Sequence, residues 1–145
     1  LLTIVLFQPD IPQNTGNVVR TASVTGARLV LVRPLGFSIS SRHLKRAGLD
    51  YWEGVDVQLI DDLEAFLEAE QKPFSFFSSK ATKLYHEKKY DKDHILIFGS
   101  ETTGLPPVFH EKWPDHFVKI PMMPGSRCLN LATSVGIATY RALYP

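Results

Sequence analysis

The stretch IPMMPGSRCLNLATSVGIATYRA, residues 120–142, leaves an apolar run, turns through Pro, Gly, Ser and Arg, and enters a helical pattern. It is therefore a strand–loop–helix unit, with Asn130 standing where a helix cap belongs. The first turns of that helix are small: Leu131, Ala132, Thr133, Ser134, Val135 and Gly136. A glycine inside a helix costs about 1 kcal/mol relative to alanine. A helix weakened in this way is expected to pack closely against another backbone or to border a site.

The same unit recurs upstream. Residues 2–7, 29–32, 57–60, 74–77, 95–98 and 117–120 are short runs rich in Val, Ile, Leu and Phe with little polar alternation. Such runs suit a parallel sheet covered on both faces. Between them lie segments with helix ends: Asn14 is a candidate cap for a helix running to about Thr25 and stopped by Gly26. Ser41 is a candidate cap for a short helix ending at Gly48, and Asp61 with Glu64 resembles a capping box. Residues 80–92 are polar and Lys-rich and read as a surface loop with an irregular strand. The alternation predicts an α/β fold: one domain over residues 1–145, a mostly parallel sheet with helices on both faces.

Composition is that of an ordinary globular chain, with 44% hydrophobic and 21% charged residues in 145. No apolar run reaches the roughly 18 residues that span a membrane. The opening LLTIVLF reads as a first strand rather than a signal peptide. Cys128 is the single cysteine, so there is no intrachain disulfide, no basis for a Cys-rich zinc site, and a reducing cytoplasm is the natural compartment. The net charge of +1 hides a basic first third, with six Lys/Arg against two Asp/Glu in residues 1–50, followed by an acidic middle. An RNA surface, if present, is then a local patch rather than a general coat.

In open parallel sheets ligands sit beyond the carboxyl ends of strands, and three loops in that position have unusual compositions. PDIPQNTGNVVR (residues 9–20) puts Asn14, Asn17 and Arg20 at a helix start, a place suited to an oxyanion or phosphate. Taken alone, Asn14 reads equally as a cap and Arg20 as the partner of a surface acid. GSETTGLPP (residues 99–107) has Gly99 and Gly104 for close backbone approach and Glu101 as its one charge, but neither a phosphate-loop Lys nor the dinucleotide glycine pattern. The third loop carries Arg127, Cys128 and Asn130. Each loop is ordinary alone; together at one sheet edge they predict a site.

The five histidines show no metal spacing, and no metal site is expected. Arg42, Lys45 and Arg46 form a basic face open to two readings, a solvated surface or a phosphate contact.

The N-x-G-N-x-x-R pattern at residues 14–20, G-S-E-T-x-G-L-P at residues 99–106 and I-P-M-x-P-x-S-R-x-x-N-L at residues 120–131 resemble the three motifs of the SPOUT class of RNA 2′-O-ribose methyltransferases. With R-A-G-L-D-Y at residues 46–51, the chain is most similar to the small TrmL/YibK-like branch, which acts on the wobble cytidine or modified uridine of leucine tRNAs. The resemblance implies a deep C-terminal trefoil knot, S-adenosyl-L-methionine as cofactor, a homodimer, and tRNA as partner, with neither DNA nor membrane. It implies cofactor contacts, largely from backbone, at Phe77, Ser78, Gly99, Glu101, Gly104, Leu105, Ile120, Met122, Cys128 and Leu129. It assigns catalysis to Arg20, Asn14 and Asn130, and RNA binding to Arg127, Arg42, Lys45 and Arg46. Cys128 stands where many relatives have Ser, which fits a cofactor-wall position better than a catalytic side chain. A guanidinium keeps its proton throughout the physiological range and is a poor base, so Arg20 is expected to hold a phosphate or a developing oxyanion. Methylation of another tRNA position or of rRNA, a catalytically silent RNA-binding module, and a flavodoxin-like small-molecule binder are the alternatives.

Overall fold

A computed structural model describes residues 1–38 and 54–145. Six strands, β1 (Thr3–Phe7), β2 (Arg28–Val32), β3 (Val57–Ile60), β4 (Phe74–Phe77), β5 (Ile95–Phe98) and β6 (Phe117–Val118), form one sheet in the order β3-β2-β1-β5-β4-β6. Every neighbouring pair is parallel. The helices are α1 (Pro12–Thr25), α2 (Leu63–Glu70), α3 (Pro107–Lys112) and α4 (Leu131–Leu143). The predicted helix at residues 41–48, with Arg42, Lys45 and Arg46, and the motif at residues 46–51 lie outside the described residues.

The apolar strands bury both faces, and their period of two sorts side chains between two layers. Ile4, Leu6, Leu29, Leu31, Leu96 and Phe98 pack with Val18, Val19 and Ala22 of α1 and Val135 and Ala138 of α4. Val5, Val30, Val32, Phe76, Ile95 and Ile97 face the other way, against Leu63, Phe66 and Leu67 of α2 and Phe109 of α3. On that second face Phe76 stacks on Phe117 at 4.7 Å between ring centroids. Truncating a fully buried residue such as Leu31 would cost about 2–5 kcal/mol.

Two expected caps shift. Asn14 does not cap α1: the cap position is Ile11, which makes no side-chain cap bond, and Pro12 takes the first helical place. Asn14 lies inside the first turn, and its side chain is taken by partners distant in sequence: it donates to Glu101, which also accepts the Asp10 and Ile11 N–H groups, and accepts from Asn130. Asp62 rather than Asp61 caps α2, accepting from the Ala65 N–H at 3.1 Å. Asp61 is drawn instead into a two-pronged pair with Arg33 at 2.8 and 3.0 Å. Gly26, left-handed at φ 75°, ends α1, and Asn130 caps α4 by accepting from Ala132 and Thr133, both as expected.

The last predicted strand, residues 117–120, stops at Val118, because Lys119 pairs in a single bridge with Leu84. Residues 80–92 hold that bridge and a short turn, Tyr85–Glu87. The helix that Gly136 weakens is expected to pack closely or to border a site: among the described residues a Cβ placed on Gly136 meets nothing within 4 Å, whereas the helix's first turn, at Leu131 and Ser134, faces open space at the sheet edge.

Candidate active site

The sheet changes direction of growth between β1 and β5: β2 and β3 lie to one side, β4 and β6 to the other. The carboxyl edge at such a switch point is where open α/β sheets bind ligands. Here it holds a cleft of about 580 Å³, within the ordinary size of a small-molecule site. Its walls come from the start of α1, the ends of β4 and β5 with the loops that follow them, α3, the segment after β6 and the first turn of α4.

All ten residues assigned to the cofactor wall border this cleft. Phe77 and Ser78 end β4, Gly99, Glu101, Gly104 and Leu105 follow β5, Ile120 and Met122 follow β6, and Cys128 and Leu129 precede α4. Asn14 and Asn130 border it as well, whereas Arg20 and Arg127, both exposed, do not.

A chain of hydrogen bonds joins the three loops. Asn130 Nδ2 donates to Asn14 Oδ1 at 2.9 Å, and Asn14 Nδ2 donates to Glu101 Oε2 at 3.2 Å. The Glu101 carboxylate also accepts the main-chain N–H groups of Asp10 at 3.0 Å and Ile11 at 2.9 Å. Asn130 Oδ1 is meanwhile occupied by the α4 amides. Asn14 and Asn130 therefore spend much of their hydrogen-bonding capacity on holding loops together. Glu101, expected at the cofactor, serves as the acceptor that organises the start of α1.

A second tie runs beside it. Ser100 Oγ donates to Asp10 Oδ2 at 2.6 Å, and Thr102 Oγ1 donates to the same oxygen. These hydroxyls, Ser100 first, hold the Asp10 carboxyl below its ordinary pKa. The loop after β5 closes on itself through Gly104 N–H to Ser100 O at 2.9 Å. A Cβ on Gly99 would lie 2.5 Å from the Gly104 carbonyl carbon. What Gly99 permits is thus the return of its own loop, and Gly104, at φ +67°, makes that turn.

Among the bordering residues that were not expected, two can carry a charge, Lys80 and His110. Lys80 is the one Lys or Arg among the described residues lining the cleft. His110 stacks on Phe117 at 3.9 Å, and burial, followed by the Lys80 charge, lowers its pKa below the usual value. The strand-end rule that picked out three loops applies equally to the end of β4. Its signal was hidden because Lys80 opens a stretch that reads as a polar surface loop. Among the described residues no group of His, Cys, Asp and Glu is arranged to hold a metal ion.

An adenosyl amino acid would meet apolar side chains at Phe77, Leu105, Ile120 and Leu129, and main-chain polar groups on the third loop. The N–H groups of Cys128 and Leu129 have no hydrogen-bond partner among the described residues. Apolar walls with a few convergent polar groups fit such a ligand.

The sequence profile of the SpoU rRNA methylase family matches residues 1–140. The chain is 41% identical over 144 residues to the tRNA (cytidine(34)-2′-O)-methyltransferase of Methylovorus glucosotrophus, covering 98% of this chain and 94% of the relative. It is 40% identical over 149 residues to the enzyme of the same name from Yersinia pestis, covering 98% and 92%. A solved structure described as giving insights into 2-OH methylation of C/U34 on tRNA superimposes with a TM-score of 0.91 at 47% identity, over 98% of this chain and 93% of that one. AviRb from Streptomyces viridochromogenes, solved with AdoMet, shares the fold at a TM-score of 0.86 and 19% identity, over 99% of this chain and 57% of that one. With motifs, sheet order and near-complete coverage in agreement, the chain belongs to the SpoU rRNA methylase family.

Proposed function

We propose that this chain transfers a methyl group from S-adenosyl-L-methionine to the ribose 2′-hydroxyl of the wobble nucleotide, position 34, of tRNA, with leucine tRNAs as substrates. The observation that carries the reading is the single cleft in which all three motif loops meet. Full-length similarity to proteins named for cytidine 34 supports the choice of nucleotide. A tRNA substrate implies work in the cytoplasm.

When bound, the cofactor supplies a methyl group on a positively charged sulfur, so the protein's part is positioning and assistance to the hydroxyl. Gly99, Gly104, Cys128 and Leu129 would hold it through main chain, and Phe77, Leu105 and Ile120 through apolar contact. Asn14 and Asn130, braced by Glu101, fix the rim where the ribose would sit. Arg20 lies exposed on α1 outside the cleft lining. A guanidinium does not accept a proton at neutral pH, so Arg20 is assigned to the adjacent phosphate or the developing oxyanion. Arg127, Arg42, Lys45 and Arg46 are assigned to the RNA backbone.

A homodimer is part of this reading. On the α1–α4 layer Val24 is 64% exposed, Tyr140 48% and Tyr144 72%, and the space beside Gly136 is open. A second copy would cover this face; sedimentation giving a monomer mass at micromolar concentration would rule it out. The trefoil knot is likewise proposed: residues 119–130 would thread a loop before α4, with the Asn130–Asn14 bond fastening the threaded segment. A crystal structure tracing that segment outside the loop would exclude it.

The test is incubation of the protein with labelled cofactor and total tRNA, followed by mass-spectrometric mapping of the methylated nucleoside. Label at 2′-O of nucleotide 34 is expected. Label at another position or on rRNA would relocate the activity, and RNA retention without transfer would leave a silent binding module.

A further inference from the structure

We infer that Lys80 is a specificity-determining residue of the cleft: its ammonium holds the carboxylate of the amino-acid tail of the adenosyl ligand. The inference rests on the methyl-donor reading above.

Three observations converge on Lys80. First, the backbone that carries it is pinned. Ser78 N–H donates to Val118 O at 3.0 Å, tying the end of β4 to β6. Lys80 N–H donates to Ser78 Oγ at 3.2 Å, and Ala81 N–H donates to Ser78 O at 3.2 Å. Ala81 is buried against the second face of the sheet, so the turn cannot swing away. Only the side chain of Lys80 is left to move, and that side chain is exposed at the cleft.

Second, the charges in the cleft are few. Among its described lining residues the only ionic carboxylate is Glu101, which is already engaged by two main-chain N–H groups and Asn14. Lys80 itself makes no ion pair among the described residues. His110, which also lines the cleft, has its charged form disfavoured by burial and then by the Lys80 charge. The cleft therefore offers one uncompensated cation at the β4 side, away from the Asn14–Asn130 pair at the β1 side.

Third, the ligand class brings one anion of its own. An adenosyl amino acid carries a carboxylate on a flexible tail, and the adenosine portion is uncharged. A lone ammonium on a pinned turn discriminates ligands that have the tail from those that lack it. A hydrogen bond to a charged group in such a place changes affinity by about tenfold or more.

The experiment compares two probes, S-adenosylhomocysteine, which has the carboxylate, and 5′-methylthioadenosine, which lacks it, by calorimetry on the wild-type protein, Lys80→Met and Lys80→Arg. The expected result is a loss of about tenfold for S-adenosylhomocysteine in Lys80→Met, less than twofold change for 5′-methylthioadenosine, and recovery in Lys80→Arg. The loss should shrink as salt is raised, because the contact is partly solvated. Equal weakening of both probes, or of neither, overturns the inference. So does weakened retention of tRNA with unchanged affinity for both probes, which would assign Lys80 to an RNA phosphate. Failure of the wild type to bind either probe would instead overturn the methyl-donor reading.

Discussion

The two ends of the parallel sheet are built from similar polar residues and used in opposite ways. At the carboxyl edge Asp10, Asn14, Ser100, Glu101 and Asn130 form hydrogen bonds between loops and border an open cleft. At the amino edge Ser75 and His94 share a hydrogen bond of 2.9 Å, with Ser75 0% and His94 2% exposed. Burial lowers the His94 pKa to about 4, the largest histidine shift among the described residues, yet His94 borders no part of the cleft. The contrast teaches that a strongly shifted group need not mark a site. At the amino edge the shift measures desolvation. At the carboxyl edge the functional signal is convergence of loops around accessible space.

The comparison can be broken most severely at Arg20. Arg20→Ala is expected to lower single-turnover methylation by about 10²–10³-fold, as for other charge-stabilising donors, with the protein still folded. Arg20→Lys should recover little; near-normal turnover would show that two-pronged holding of an anion is not its role.

Next in size is Glu101→Ala. It leaves the Asp10 and Ile11 N–H groups and the Asn14 amide without their acceptor, at a cost of about 1–3 kcal/mol, visible in the urea midpoint. Weaker cofactor binding should accompany the loss, because the two loops are no longer tied. A stable variant with unchanged affinity would remove Glu101 from the loop-holding role.

At the other edge, Ser75→Ala leaves His94 Nε2 unpaired and should cost about 1–2 kcal/mol of stability while leaving cofactor affinity unchanged. A fall in affinity would mean that the two ends are coupled. The pH dependence follows from the same group. His94 has a folded pKa of about 4 against an ordinary 6.5, so between those values the unfolded chain binds more protons. Its contribution is complete above pH 6.5 and is lost as pH falls toward 4. Denaturant midpoints of His94→Gln should show a flatter slope across that window than wild type.

The smallest effect is expected at Gly136→Ala. With nothing within 4 Å of the added methyl, helix propensity should raise chain stability by up to about 1 kcal/mol. If the dimer instead dissociates at lower dilution than wild type in sedimentation, the open space beside Gly136 is filled by the second copy.

Much of this was legible in the chain itself. The six strands were readable because a run such as ILIF (residues 95–98) is apolar throughout, and that pattern is decided by burial on both faces of a parallel sheet. The helix stop at Gly26 and the cap at Asn130 were readable because both act on backbone within a few residues. Asn14 was misread as a cap for the complementary reason. Its partners Glu101 and Asn130 are 87 and 116 residues away, and no local pattern announces them. Lys80 was passed over because a lysine in a polar stretch looks solvated until the end of β4 is placed beside β5 and β6.

The sequence by itself determined the order of strands and helices, the parallel sheet, and the three loops whose composition marks one edge as a site. These follow from hydrophobic periodicity and from capping chemistry, which depend on neighbours along the chain. Only the tertiary structure decided that Glu101 organises the start of α1, that Asn14 links two loops, that Arg20 stands outside the cleft lining, and that Lys80 stands within it. Those outcomes depend on which hydrogen-bonding groups meet in space once the sheet has formed, and a buried or tied polar group takes whichever partner the fold brings within about 3 Å.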